Sequence, residues 1–271
     1  MRSPSTRAAL SAIALTATLL FGGAAWAGRS CEPRPLTPQS MERGLALAAR
    51  SAAALDASGA RVVVLARAGQ DLSKYGLRYS HLGFAYRAQD AQGQPVWRVV
   101  HKLNQCGTAT SAIYRQGLGE FFLDDLWRYE AAWAVPSPEL QDRLLPLLAD
   151  NERSVALHEG AYSIVSYAWG RKYQQSNQWA IETLALALEP AAANRERAQA
   201  WLQFKGYEPT ALRLGPLTRL GGRITAANVA FDDHPNEKRF ADRIETVTVD
   251  SVFAWLQRSG LAGAPERLEL R

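Results

Sequence analysis

The chain has 271 residues, of which 47% are hydrophobic and 21% are charged, and its formal net charge is +5. A chain of this length can bury a large hydrophobic core and needs neither a metal nor a dense disulfide framework to fold. Its lysines and arginines form no cluster interleaved with aromatic residues, so the composition argues against nucleic acid as a partner.

The first 27 residues have the pattern of an export signal. Arg2 and Arg7 give a basic start, an apolar stretch follows, and the Ala-Trp-Ala sequence at 25–27 supplies the small residues of a cleavage site. No basic stop-transfer flank follows the apolar stretch. We therefore expect cleavage before Gly28, a periplasmic location and no membrane anchor. The processed chain would have 244 residues and a formal charge of +3, because the signal carries two arginines and no acidic residue.

The two cysteines both lie in the part of the chain that follows the signal. Cys31 is in a proline-rich arm, and Cys106 follows the third predicted strand. Because an exported protein meets an oxidising compartment, we expect Cys31 and Cys106 to form a disulfide bond. The alternative is two unpaired thiols. Neither cysteine has the spacing of a metal site or a redox motif, so we predict neither a metal nor another cofactor.

The first half of the chain predicts one helix followed by three strands. Thr37 and Pro38 have the identities of a helix cap and a first helical residue. The strand-like runs that follow are 61–68, 79–87 and 97–103. The linker between the second and third runs is polar and contains Gly93, which predicts an antiparallel hairpin. Residues 107–153 are harder to assign, apart from a strand at 129–135 and a helix starting near Ser137.

The second half predicts a central helix, two strands and two further helices. The central helix lies in the stretch 173–188, the next helix is 195–204, the strands are 222–231 and 245–249, and the last helix is 251–258. No linker-like stretch divides the chain, so we predict one α+β domain at 28–271, with an antiparallel sheet packed on the central helix.

After its first turn, the central helix is apolar on nearly every side. Only Glu182 and Thr183 are polar in that part of the helix. A helix of this kind must be buried in the middle of a domain. Ser176 and Asn177 stand in its first turn, where backbone N–H groups and the helix dipole stabilise negative charge. Ser176 is therefore a candidate nucleophile. The alternative is that Ser176 is an ordinary helix cap.

His81 is the candidate base. Strand alternation places His81 on the same face as the small residues Gly83 and Ala85, which leaves room beside the imidazole. His101 or Asn104, on the next strand, would lie beside His81 in a regular hairpin and orient it. Ser176, His81 and one of these two residues would then form a nucleophile, base and orienter. The alternative for His81 is a core or surface histidine without a catalytic role.

These features resemble two families. The histidine strand at 79–86 and the helix start at 173–184 are similar to the circularly permuted papain-like proteins, which include NlpC-type amidases and lecithin–retinol acyltransferase-like proteins. The whole processed chain more closely resembles the bacterial exported family called domain of unknown function 2145. That likeness is carried by YSHLGFAYR, WRVVHKLNQC, GLGEFFLDDLW, SNQWAIE and TVDSVFAWL.

The papain-like resemblance implies a hydrolase, but those proteins have cysteine where this chain has Ser176 or Asn177. A serine gains less than a cysteine from a helix N-terminus and needs a well-placed base. One hypothesis is an exported hydrolase of amide or ester bonds in envelope material, with Asn177, Gln178 and Tyr173 contacting a peptide, glycan or lipid substrate. The other is a non-catalytic binding or accessory protein of the envelope.

Overall fold

The computed structural model describes residues 35–270. Six of its strands form one antiparallel sheet in the order β4-β3-β2-β1-β5-β8, and β6 pairs with β7 in a separate antiparallel ladder. The strands in chain order are β1 Val62–Ala68, β2 His81–Gln89, β3 Pro95–Asn104, β4 Ser111–Gly117, β5 Arg128–Ala134, β6 Thr210–Arg213, β7 Arg243–Thr246 and β8 Glu266–Glu269.

Helices cover both faces of the large sheet. In chain order they are α1 Pro38–Ala57, α2 Leu118–Phe122, α3 Pro138–Ala149, α4 Asn151–Ser154, α5 Ser176–Leu188, α6 Arg195–Phe204, α7 Pro216–Thr225, α8 Asn236–Phe240 and α9 Val249–Arg258. The predicted α+β class with an antiparallel sheet is confirmed. Among the described residues, no helix has the length and apolar character needed to cross a membrane.

Strand β1 shows why the sheet is the middle layer. Every residue of β1 is buried, and alternate residues belong to two different cores. Val62 and Val64 pack on the side of α3, α5 and α9, whereas Val63 and Leu65 pack on the side of α1 and α2. A strand covered on both faces is expected to be apolar throughout, which explains the unbroken run in the sequence.

Helix α5 is the central helix, as predicted. Eleven of its thirteen residues are buried. Trp179 meets Phe84 of β2 edge to face, with 5.8 Å between ring centroids. The helix therefore lies on the face of the sheet to which Leu82 and Phe84 point.

Most predicted elements are confirmed, but one predicted strand is wrong, and β4, β6, β8 and α8 were not predicted. The predicted strand at 222–231 is wrong, because 216–225 forms α7 and the remainder is irregular. Pro216 at the first helical position presets the helical φ angle, and this outweighs the β-branched residues that follow. Residues 111–117, which the sequence pattern leaves unassigned, form the edge strand β4, whose alternation is weak because it is only partly buried.

A separate small core supports the end of the molecule that carries α7 and α8. It is formed by five buried apolar residues, Leu212, Leu214, Val229, Phe231 and Ile244. The β6–β7 ladder contributes two of them, Leu212 and Ile244. This core is too small to bury α7 on all sides, and the consequence for α7 is described below.

Candidate functional site

His81 and His101 form a hydrogen-bonded pair across the β2–β3 hairpin. Nε2 of His81 lies 2.9 Å from Nδ1 of His101, and Nε2 of His101 lies 2.8 Å from Oε1 of Gln116 on β4. The register Phe84↔Val100 places His101 beside Gly83, so His81 and His101 are diagonal neighbours on one face. Of the two residues that the sequence offered as neighbours of His81, His101 is the one that contacts it.

The neighbours of this pair fix its proton arrangement. The Gln116 oxygen accepts a hydrogen bond, so Nε2 of His101 carries a proton and its Nδ1 accepts one from Nε2 of His81. Arg67 is the cross-strand partner of His81, and Phe121 of α2 packs against both imidazoles. The result is a buried row of polar groups across four strands, covered by α2.

Burial holds both imidazoles neutral. Desolvation, followed by the nearby charge of Arg67, lowers the pKa of His101 to about 3. The same two causes, and then His101 itself, lower the pKa of His81 well below its usual value of 6.5. A general base should have a pKa near the working pH, so this environment is unsuited to proton transfer at neutral pH.

The histidine pair predicts loss of stability in acid. Because the folded pKa values are lowered, the unfolded chain binds protons first as the pH falls below 6.5. The stability that the neutral pair contributes is complete above pH 6.5 and is lost as the pH falls toward 3. Between neutral pH and pH 5, His101 alone should lower the free energy of unfolding by about 2 kcal/mol.

This prediction can be checked by measuring the free energy of unfolding in urea at several pH values between 7 and 5. The His101→Gln variant removes one titrating group and should show a smaller decrease in the free energy of unfolding over the same range. Identical pH dependence in the two proteins would show that His101 is not held neutral by the fold.

Ser176 lies on the other side of the sheet from His81. Leu82 and Phe84 share a core with Trp179 and the rest of α5, whereas the His81 side chain, which alternates with Leu82, meets Phe121 of α2. The predicted nucleophile and base are thus separated by the sheet, and the predicted catalytic arrangement does not form. Ser176 is buried and hydrogen-bonds the Tyr162 phenol, whose pKa is raised by burial.

The other polar residues at the start of α5 are used inside the protein. Gln175, not Ser176, is the cap residue, and its side chain accepts a hydrogen bond from the Asn177 amide. The Asn177 side-chain oxygen accepts from the Leu82 amide, which joins α5 to β2. Gln178 is fully buried and donates to the main chain of the loop before the helix. Asn177 and Gln178 therefore do not offer their polar groups to a substrate.

The remaining predicted site residues also have structural surroundings. Asn104 donates to the carbonyl groups of Thr108 and Thr110 and so shapes the β3–β4 turn, away from His81. Tyr173 is half-buried beside Lys172. Cys106 lies exposed in the same turn, and its predicted disulfide partner Cys31 is outside the described residues, so the pairing stays a prediction.

A buried ionic network that the sequence analysis missed holds the loop before α5. Glu182 is fully buried and accepts from Arg195, with one contact of 2.9 Å, and from Gln174 and Gln199. Gln174 also accepts from the buried Lys102 ammonium at 2.7 Å. Desolvation, then repulsion by Arg195, lowers the pKa of Lys102 to about 7. The sequence signal for this network was Glu182, because a carboxylate in an otherwise apolar helix needs polar partners.

Among the described residues, α7 and α8 form an apolar surface that is largely exposed to solvent. We call it the α7–α8 face and define it by Leu217, Leu220 and Ile224 of α7 and Phe240 of α8. Leu217, Ile224 and Phe240 are 84%, 75% and 73% exposed. Their side chains point away from the small core, so α7 presents its apolar side to solvent. This reverses the usual orientation of a surface helix.

A groove of about 330 Å³ borders this face. Arg219, Arg223 and Arg239 line it together with Leu220 and Phe240. The Arg239 guanidinium lies 5.1 Å from the centre of the Phe240 ring. The sequence pattern did not indicate this surface, because it predicted a strand at 222–231 and no element at 216–221 or 236–240.

A family model matches residues 54–256, from the end of α1 to α9. The chain belongs to the family called domain of unknown function 2145. That family is described as an uncharacterized protein conserved in bacteria, and its description names no reaction. No curated protein and no solved structure matches the chain. The family assignment made from the sequence is confirmed, and the relation to permuted papain-like proteins stays a prediction.

Proposed function

We propose that this protein is an exported binding or accessory protein of the bacterial envelope, and that it binds its partner through the α7–α8 face. The observation that carries the proposal is the outward orientation of Leu217, Ile224 and Phe240 beside a groove lined by arginines. Contiguous exposed apolar side chains bordered by polar groups are typical of interaction sites.

The surroundings of the predicted catalytic residues support binding over hydrolysis. Ser176 hydrogen-bonds Tyr162 and is separated from His81 by the sheet, and the His81–His101 pair is covered by α2 and kept neutral. Hydrolysis by a serine needs a base within hydrogen-bonding distance of its hydroxyl. For this reason we prefer the binding function to the amide or ester hydrolase.

Export is supported by the sequence pattern of residues 1–27, which lie outside the described residues. We therefore place the protein in the periplasm. There, an apolar and basic surface could contact the membrane, the cell wall or an envelope protein.

The proposal predicts that the full chain, expressed in a bacterium, sediments with the envelope fraction after gentle lysis. The double variant Leu217→Ser, Ile224→Ser should move into the soluble periplasmic fraction, because its binding face is lost. Ser176→Ala is the matched control and should sediment like the unchanged protein. The proposal would be abandoned if the double variant stayed with the envelope, or if Ser176→Ala alone released the protein.

A further inference from the structure

We infer that the partner of the α7–α8 face is the anionic surface of a lipid membrane, with α7 lying in the plane of the interface. This inference rests on the proposed function and names its partner. Three properties of the face lead to it: the spacing of its apolar side chains, the charge around its groove and the poor fit of a second copy of the chain.

The apolar side chains form one protruding stripe. Leu217, Leu220 and Ile224 are three and four residues apart, so they share one side of α7, and Phe240 adds an exposed ring at the end of α8. Helices that rest on membranes insert such a stripe of leucine, isoleucine and phenylalanine at the boundary between headgroups and acyl chains. α7 has ten residues, which is enough for this placement but far too few to cross a bilayer.

The charges beside the stripe complement phosphate groups. Arg219, Arg223 and Arg239 line the groove, and no acidic residue is among the described residues that line it. Arg223 is exposed, and no ion pair of its side chain occurs among residues 35–270. Arg219 is held by Asp242 at 2.6 Å, which fixes its position at the edge of the groove. Guanidinium groups bind phosphate oxygens in a bidentate geometry.

The acidic side chains of β7 and of the turn before it are engaged in ion pairs. Asp242 pairs with Arg219, and Glu245 pairs with Lys238 and Arg243. Glu237 is exposed in the first turn of α8, three residues before Phe240. The groove itself therefore presents a basic surface to whatever approaches the apolar stripe.

A second copy of the chain fits this face poorly. A twofold interface would place the same patch against itself, so the arginines of one groove would face the arginines of the other. Like charges brought together in an interface oppose association. An anionic membrane instead supplies both the negative charge and the apolar layer that the face needs.

The test is vesicle co-sedimentation of the protein recovered from the expressing bacterium. Its N-terminus is first determined by mass spectrometry, since an uncleaved apolar leader would bind vesicles by itself. We expect binding to vesicles of equimolar phosphatidylglycerol and phosphatidylcholine, and much weaker binding to phosphatidylcholine alone. Because salt screens charges beyond about 10 Å at 0.1 M, raising the salt further should weaken binding to the anionic vesicles.

Two variants separate the apolar and basic contributions. Leu217→Ser, Ile224→Ser should lower the partition coefficient roughly tenfold or more, because two apolar side chains no longer enter the interface. Arg223→Gln should lower it several-fold on anionic vesicles only. The matched controls are Phe204→Ser, which changes an 81% exposed ring at the end of α6, and Arg50→Gln, which changes an exposed arginine of α1. Both controls should bind like the unchanged protein.

The outcomes distinguish this inference from the proposed function. If the α7 variant leaves the envelope fraction in cells while the purified protein ignores anionic vesicles, the partner is a protein or glycan and the lipid inference fails alone. If the variant stays with the envelope, both fail. A dimer in analytical ultracentrifugation that the α7 variant converts to a monomer would assign the face to self-association and overturn the lipid inference.

Discussion

Glu182→Ala is expected to lower the free energy of unfolding by about 3–5 kcal/mol. The Glu182 carboxylate is fully buried, and its removal leaves the Arg195 guanidinium, which is mostly buried, without its counter-charge. Gln174 and Gln199 would each lose an acceptor as well. Breaking a buried pair from one side is costly because the remaining charge is desolvated and unpaired. Urea unfolding measures the change directly.

The matched control is Glu196→Ala. Glu196 also pairs with an arginine, Arg171, at 2.6 Å, but both side chains of this ion pair are more than 60% exposed. An exposed ion pair contributes about 0–1 kcal/mol, so this variant should unfold almost like the unchanged protein. If Glu182→Ala does not fold, Glu182→Gln, which keeps one acceptor oxygen, gives the measurable intermediate. Equal effects at positions 182 and 196 would contradict the role given to burial.

Gly83→Ala is expected to lower the free energy of unfolding by about 3 kcal/mol, at the upper end of the range for overpacking. A Cβ atom at position 83 would lie 2.7 Å from Cβ of His101 and 2.9 Å from the carbonyl oxygen of Val100. Both obstacles belong to the backbone or the first side-chain atom of β3, so neither can move without spreading the β2–β3 hairpin. Spreading the hairpin also breaks the hydrogen bond between His81 and His101.

Gly160→Ala is the control for this prediction, because nothing lies within 4 Å of a Cβ atom built at Gly160. The two variants add the same methyl group, so their difference in urea midpoint isolates the steric contact with β3. The Gly83→Ala variant should also lose part of the acid dependence that the histidine pair gives the unchanged protein. A Gly83→Ala protein as stable as Gly160→Ala would show that β2 and β3 are not in close contact at this position.

The two buried features behind these predictions were visible in the sequence to different degrees. Gly83 lies two residues after His81 on the same strand face, and the polar linker predicted the hairpin, but His101 and Asn104 were both left as neighbours of His81 until the register of β2 and β3 was known. Glu182 was visible as a charge in an apolar helix, but its partners Arg195 and Lys102 come from other elements. No local pattern links those residues.

The predicted catalytic residues are not brought together, because the sequence did not indicate which helix covers each face of the sheet. Alternation states that His81 and Gly83 share one face of a strand, but it does not state which helices cover that face. Both faces of the sheet are buried, so the sequence offers no polar side to decide between them. The helix that carries Ser176 covers the face opposite the one to which His81 points.

The sequence by itself determined the α+β class, the β2–β3 hairpin, the buried central helix and the family, because these depend on local periodicity, turn residues and motifs. Only the tertiary structure decided that α2 covers His81, that α5 turns Ser176 to the other side, and that α7 points Leu217 and Ile224 outward. These are choices between equally apolar surfaces. They depend on how distant elements pack around one sheet, where the volumes and partners of many residues act together.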